Sequence, residues 1–422
     1  MTKIEKVVLI KNAVETLGYF SEQIALELNK MGLATYFVDY DDLFDAMEGL
    51  KRFAGKGNTA VITFNFIGFS GETVFLHDEF HTVWDVYKMP ILNILVDHPI
   101  YYHSKLEHVP KRMKLYCIDK EHVRYIKRFY PGLNVKFLPI AGNVLLKHKF
   151  EEKEKKYTVS SRKKLEYDAI WNYEKHLIPY EIRKYDLVFT ANYVPLESLY
   201  RRFDDMVPAY ATFYRGILED LIAQPMQSVD VVMERHIAAE LGEVADGDIR
   251  AAMSGMLFID LCARTYYRGE IIRELAEHGL KVHVFGADWG QLPCKKPENI
   301  IHNGRQVSSA VCVEAVRDAK IALNIMPWFK DGVHDRIFTA MLQKTVALTD
   351  SSKYLRKEFT DGEDIVFFSL EGRKYLPDLI HMLLRDEENA MRIAENGYRQ
   401  AYGKHTWRAR ARELAGELQH MR

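Results

Sequence analysis

The feature that most constrains this chain is a recurring alternation of short apolar runs with segments of helical spacing. In the first third the runs fall at residues 7–10, 35–38, 60–64, 91–96, 114–118 and 135–140. Between the first two, Phe20, Ile24, Leu28 and Met31 share one helical face, and Gly32 follows as a stop signal. Runs this short and mainly apolar, with 114–118 a mixed one, belong to strands buried on both faces. That is the situation in a parallel sheet with helices above and below it. The pattern predicts an α/β domain over residues 1–146.

A second such pattern opens at 186–190 and resumes at 282–285, 300–301, 321–325, 346–349 and 365–368, giving a second domain over 184–405. Between the two lies a segment, 147–183, crowded with Lys147, Lys149, Glu151, Glu152, Lys153 and Glu154, followed by Arg162, Lys163 and Lys164. A solvated linker or insertion is the plain reading, and a basic patch for an anionic polymer the functional one. Within the second domain, about 196–245 has helical character with no strand. Residues 248–279 read as one long helix with Met253, Met256, Leu257, Leu261, Ile271, Ile272 and Leu275 as its apolar stripe. A final amphipathic helix is expected over 406–422, docked on a neighbouring surface.

At 422 residues, 48% of them hydrophobic, the chain has material for two or three domains and is no disordered polymer. The 58 basic and 59 acidic residues leave a formal charge of -1, so nothing global draws it to nucleic acid or an anionic membrane. Cys117, Cys262, Cys294 and Cys312 lie far apart, with no C-x-x-C pair, which argues against a disulfide framework or a structural zinc. The start lacks the three regions of a signal peptide, and no apolar run reaches the ~20 residues of a membrane span. The expectation is a cytoplasmic protein; its oligomeric state is not written in these patterns.

Several chemistries are removed by missing motifs. The loops after the first strand of each half read Lys11-Asn12-Ala13 and Ala191-Asn192-Tyr193, with no G-x-G-x-x-G, so dinucleotide chemistry is disfavoured. A P-loop and a G-x-S-x-G elbow are also missing. His77 and His81 stand at i and i+4, but Asp78 occupies the place where a zincin carries glutamate, and an exposed polar segment is the better reading. Two segments hold more interest. In Asp331-Gly332-Val333-His334-Asp335-Arg336, a glycine turn leads into a helix start beside an arginine, which suits a diphosphate, or else is an ordinary capped helix. Asp97-His98-Pro99 follows a buried strand, where a carboxylate or imidazole faces the ligand crevice of a parallel sheet. Either residue is a candidate general base, with Glu72 next in line; otherwise Asp97 caps a helix and His98 is surface.

The order of these pieces resembles a known family. Phe64-Asn65-Phe66, Trp84, Asp97-His98-Pro99 and Phe137-Leu138-Pro139-Ile140-Ala141 are similar to the N-terminal domain of bacterial spore-maturation-protein-like (CgeB-type) glycosyltransferases. The run Asp186 to Tyr193, Val284-Phe285-Gly286-Ala287-Asp288-Trp289, the stretch from Asn324 through Arg336 to Asp350, Glu395-Asn396-Gly397-Tyr398 and His405-Thr406-Trp407 resemble its C-terminal half.

The resemblance implies the GT-B architecture: two Rossmann-like parallel-sheet domains facing a cleft, here with a helical insertion and a C-terminal helix. It implies transfer of a sugar from a nucleotide-diphosphate donor, UDP-linked, to a hydroxyl or amine of a glycan, protein or small-molecule acceptor. It also implies that no metal or other cofactor is needed. On this reading Asp97 or His98 activates the acceptor, and His334 and Arg336 stabilise the leaving diphosphate. Asn192, Gly286, Asp288, Trp289, Asn324, Gly332 and Thr339 complete the donor site, with plain core as the other reading of Trp289. Two positions depart from the family: Thr339 stands where many members have a ribose-binding glutamate, and Lys344 where they have glycine. The rival readings are a nucleotide-sugar epimerase or phosphorylase on the same scaffold, and a catalytically silent carbohydrate-binding or assembly protein.

Overall fold

Each apolar run becomes a strand. The computed structural model describes residues 3–55, 57–78, 81–146 and 177–421. In its first sheet, β1 (Lys6–Lys11), β2 (Ala34–Asp39), β3 (Thr59–Phe64), β4 (Ile91–Leu95), β5 (Met113–Cys117) and β6 (Val135–Phe137) lie in the order β2-β1-β3-β4-β5-β6. In its second, β7 (Tyr185–Phe189), β8 (Val282–Val284), β9 (Ile300–His302), β10 (Ala319–Asn324), β11 (Val346–Asp350) and β12 (Val366–Phe368) lie in the order β12-β11-β10-β7-β8-β9. All pairings are parallel; Val7 stands opposite both Thr35 and Ala60, and Leu323 opposite both Phe189 and Leu348. β3, β4, β5 and β11 are buried along their whole length, as helices on both faces require. Strand order reverses between β1 and β3 in one sheet and between β7 and β10 in the other. At each reversal the connecting helices part to opposite faces and open a crevice at the carboxyl ends of the strands.

The helices Leu196–Asp204, Pro208–Ala223, Val229–Leu241 and Asp246–Ser254 interrupt the second domain after β7. They pack on the first domain: Ile217, Val232, Met233 and Met253 share a core with Leu95, Leu115, Ile126 and Phe129. Arg128 ties this contact at its rim, donating to both oxygens of Glu234 at 2.7 Å and to Asp246 at 2.8 Å. The single helix expected over 248–279 is two, Asp246–Ser254 and Leu257–Glu277. Ile249 and Met253 enter the first-domain core, while Ile271, Ile272 and Leu275 enter the core of the second sheet. Gly255, a weak helix former, supplies the break between them.

The chain ends by crossing back. Leu414 and Leu418 of the helix Trp407–His420 join Phe20, Ile24 and Leu28 of the helix Glu15–Lys30 in one core. Gln419 donates to the carbonyl of Ile4 at 3.0 Å, and Glu417 receives Lys136 at 2.8 Å as well as Lys114. Of the charged segment 147–183, residues 147–176 lie outside the described residues, and Tyr180–Ile182 forms a single 3-10 turn. The N–H of His77 donates to the carbonyl of His81 at 2.8 Å beside an antiparallel bridge from Leu76 to Thr82. No helix among the described residues is long and apolar enough to cross a membrane.

Candidate functional site

The crevice between β7 and β10 is open. Its floor is the chain leaving β7, Thr190-Ala191-Asn192, crossed at close range by the chain leaving β8. At Gly286 a Cβ would fall 2.1 Å from the carbonyl oxygen of Ala191, so the crossing needs glycine. Two further bonds fix it: Asn192 Oδ1 accepts from the N–H of Ala287 at 2.9 Å, and Trp289 Nε1 donates to Ala191 O at 2.7 Å. Trp289 itself is 1% exposed, stacked on Tyr193 and set edge-on to Phe189. It is core behind the crossing and does not face the cavity. Asp288 is exposed and turns the chain in the left-handed region at φ 65.

Above this floor is a cavity of about 310 Å³. Arg268 enters it from the helix Leu257–Glu277, and Ser309, Cys312, Val313 and Val316 from one face of the helix Ser309–Arg317. His334, Asp335, Arg336 and Thr339 come from the chain that enters and forms the helix Asp335–Leu342. The first domain closes the remaining side with Glu15, Thr16 and Asn143. The volume is at the lower end of small-molecule sites.

Arg336 is held from two sides. Its NH1 donates to Asn324 Oδ1 at 3.3 Å, and Asn324 is anchored in turn by donating to Thr349 Oγ1 at 2.9 Å. Its NH2 lies 3.0 Å from His334 Nε2, and His334 Nδ1 lies 2.6 Å from Asp335 Oδ1. One tautomer serves both contacts, with Nδ1–H donating to Asp335 and Nε2 accepting from Arg336. Burial and the Arg336 charge push His334 below the usual histidine range, so its ring is neutral near pH 7. Asn324 thus serves the site from behind, through Arg336.

Arg268 is the unusual member. Its NH1 reaches the carbonyl of Asn192 at 3.3 Å, and its buried Nε has no hydrogen-bond partner among the described residues. Burial, then the positive charges of Arg336 and Arg264, push it down to about 9, still cationic at neutral pH. Arg264, one turn earlier, is paired differently, 2.7 Å from Asp260 and 3.6 Å from Asp97. Both guanidiniums lie over the Trp328 ring, 4.7 and 5.0 Å from its centroid. Nothing in a local motif singles out Arg268. A signal existed in the spacing 261, 264, 268, 271, 275, where two arginines continue an otherwise apolar stripe.

At the first-domain wall, Asn143 is a buried hub. Its Nδ2 donates to Asp335 Oδ2 at 2.8 Å, its N–H to Thr339 Oγ1 at 2.9 Å, and its Oδ1 accepts from Trp407 Nε1 at 2.9 Å. Thr339 spends its own proton on the carbonyl of Asp335 at 2.8 Å. Lys344 holds a left-handed backbone at φ 52, pairs with Glu395 at 2.7 Å and lies over Tyr398.

Gly332 lies outside the cavity, pressed against the first domain. A Cβ there would fall 2.5 Å from Ile118 O and 2.6 Å from Asp119 Cβ, and the two chains form an antiparallel bridge at Asp119. The expected turn at a diphosphate is therefore a close approach between domains.

Asp97 and His98 part company at the end of β4. The Asp97 carboxylate is 40% exposed, receives Asn65 Nδ2 at 3.0 Å and Tyr102 OH at 3.3 Å, and looks across to Arg264. His98 is 2% exposed; its Nδ1 accepts from Ile100 N at 3.1 Å, and its Nε2 faces Asp230 at 3.4 Å. Glu72 accepts from Tyr40 OH at 3.0 Å and Ser70 N at 2.8 Å. The structure therefore gathers Asn192, His334, Arg336 and Thr339 around one cavity. It sets Gly286 and Asn324 behind them, and leaves Asp97, His98, Asp288, Trp289 and Gly332 off its walls.

Comparison with known proteins adds two findings. Residues 264–416, which supply both cavity arginines, match the family model described as glycosyl transferase-like. An alpha-glucosyltransferase in complex with UDP and a 13-mer DNA containing an HMU base is similar over 99% of this chain and 100% of its own, at 8% identity and a TM-score of 0.51. The fold is GT-B. Two further structures align over 98% of each chain: a sucrose-phosphate synthase from Thermosynechococcus elongatus (12% identity, TM-score 0.46) and Anabaena HepE in complex with UDP-glucose (7%, 0.48). At such identities the likeness establishes the fold and nothing finer. Among curated proteins, none matches the sequence.

Proposed function

We propose that this chain is a metal-independent glycosyltransferase of the CgeB type. It moves a sugar from a nucleoside-diphosphate donor, UDP-linked, to a hydroxyl or amine acceptor. The observation that carries the reading is the pair Arg268 and Arg336 in an open crevice, Arg268 with no carboxylate partner among the described residues. A buried cation left without a counter-ion costs stability unless a ligand brings one. A diphosphate supplies two or more negative charges and accepts from both guanidinium forks. The match of 264–416 to a glycosyl transferase-like model and the UDP held by the similar alpha-glucosyltransferase support the same class of ligand.

The acceptor oxygen or nitrogen attacks the anomeric carbon while the bond from that carbon to the diphosphate oxygen breaks. The electron pair leaves with the diphosphate, where Arg268 and Arg336 stabilise it. The acceptor's proton goes to Asp97, which is accessible and held in place by Asn65 and Tyr102; His98 is buried and already engaged. The test is release of nucleoside diphosphate from a panel of nucleotide-sugars, with and without candidate acceptors. Acceptor-dependent release is expected. Asp97→Asn should cut it by roughly 10²- to 10⁴-fold while leaving UDP binding intact. A folded protein that neither binds nor releases any nucleoside diphosphate would sink the reading.

A further inference from the structure

Two carboxylates line the cavity, and they differ in what they have left to offer. Asp335 is 9% exposed, with one oxygen taken by Asn143 and the other by His334. Glu15 comes from the opposite domain, in the first turn of the helix Glu15–Lys30, and reaches across the cleft. Its Oε1 accepts from the N–H of Ser309 at 2.8 Å, and its Oε2 from the Ser309 hydroxyl at 2.6 Å. An ionised carboxylate has about four acceptor sites, so two remain. Two hydroxyls of the same cavity are already engaged. Thr339 spends its proton on Asp335 and receives Asn143, and the Ser309 hydroxyl proton is on Glu15.

The surroundings say which hydroxyls a fixed carboxylate would meet here. The wall on which Glu15 rests continues as Cys312, Val313 and Val316, an apolar surface suited to the flat face of a base. Arg268 and Arg336 supply the anion-binding part. In a nucleoside diphosphate, the unit that joins base to phosphate is the ribose. We infer that Glu15 is the hydroxyl reader of the donor cavity. It accepts from the 2′,3′-diol of the ribose, and so selects ribonucleotides from the far side of the cleft. This rests on the donor reading above. It adds that recognition of the ribose needs both domains, because the carboxylate belongs to one and the Ser309 that fixes it to the other.

The test is calorimetric titration of the full chain with UDP, GDP and ADP, each beside its 2′-deoxy form. Hydrogen bonds to a charged acceptor discriminate by on the order of ten- to a hundredfold, and that preference for the ribose form is expected. Glu15→Gln should bring the two forms within about threefold, whether or not overall affinity changes. Ser309→Ala, which frees the carboxylate without removing it, should weaken the preference partly. Thermal unfolding of each variant guards against a folding defect, and Glu15→Asp, which keeps the charge but shortens its reach, should fall between. Equal affinity for ribose and deoxyribose forms in the parent protein, or a preference unchanged in Glu15→Gln, overturns the inference while leaving the donor site standing. Failure of every nucleoside diphosphate to bind overturns the donor site and this inference together.

Discussion

The two sheets each form a crevice where strand order reverses, and the two crevices have opposite fates. Between β1 and β3 the space is filled by Ile10, Val14, Leu17, Phe64 and Ile67, with Gly18 pressed against Asn12, leaving no room for a water molecule. Its charges are spent locally: Lys11 pairs with Asp39 at 2.8 Å, and Asn12 donates to the same carboxylate at 2.6 Å. Between β7 and β10 the space is open, and Arg268 faces it without a carboxylate partner among the described residues. Topology alone makes both places ligand sites. Side-chain volume and the pairing of charge fill the first and leave the second open.

The aspartates beside the two crevices show the same contrast. At Asp39, burial would raise the carboxyl, but Lys11, the N–H of Asp41 and Asn12 outweigh it and hold it below the usual range. At Asp350, burial dominates over Met326 N–H, Lys330 and Arg336, and the carboxyl is pushed up to about 7.

If charge without a partner is what marks the second crevice, its removal should hurt most. Arg336→Ala is expected to lower turnover by on the order of 10²- to 10³-fold, and Arg336→Lys should recover only part, because an ammonium lacks the planar fork. Steady-state rates equal to the parent's would erase the distinction between the crevices. Arg268→Met sharpens it from the other direction. Nucleoside diphosphate affinity should fall at least about tenfold, while the melting temperature holds or rises, because a half-buried cation without a carboxylate partner among the described residues is exchanged for an apolar chain of similar length. Calorimetry showing lower stability with binding intact would make Arg268 structural.

The third experiment concerns pH. The Asp350 carboxyl keeps its proton in the folded state up to about 7, whereas the unfolded chain loses it near ~4. Its contribution is therefore complete below ~4 and is lost as pH rises through 7. Urea unfolding of Asp350→Asn should show a pH slope flatter by about 2 to 4 kcal/mol across that window, and an unchanged slope would count against the assignment. The smallest effect belongs to the closed crevice. Asn12→Ala loses one exposed hydrogen bond and the residue type best suited to its left-handed backbone at φ 64. It should cost about 1 kcal/mol in denaturant unfolding and leave nucleotide affinity alone. A loss of nucleotide binding there would show that the first crevice takes part after all.

Much of the fold was legible because strand formation is decided locally. Every apolar run, from 7–10 to 365–368, became a strand within two residues of its expected ends, except 135–140, where the strand stops at Phe137. The single helix expected over 248–279 misled because the apolar stripe runs on across the break at Gly255: Phe258, Ile259 and Cys262 stay in the same core as Ile249 and Met253, and the change to the second sheet comes only at Tyr267. Part of the site was legible as well. His334 and Arg336 are close in sequence, and a turn leading into a helix start beside an arginine carries its own chemical sense. Trp289 and Gly332 misled for one reason: a tryptophan after a strand and a glycine before a helix serve packing as readily as binding. Only their neighbours, Tyr193 and Phe189 for one and Ile118 and Asp119 for the other, distinguish the two uses.

The sequence by itself determined two parallel-sheet domains, the absence of a dinucleotide or P-loop fingerprint, and an arginine at the entry to one helix. These follow from periodicity and turn chemistry, which act over a few residues. Tertiary structure decided which crevice stays open and that the inserted helices rest on the first domain. It also brought Arg268 beside Arg336, Asn143 beside Thr339, and Glu15 onto Ser309. Each of those pairings joins residues 68 to 294 positions apart. No local preference encodes such a meeting. It arises only when apolar faces from distant segments are buried together and the polar groups carried with them must find partners, or be left waiting for a ligand.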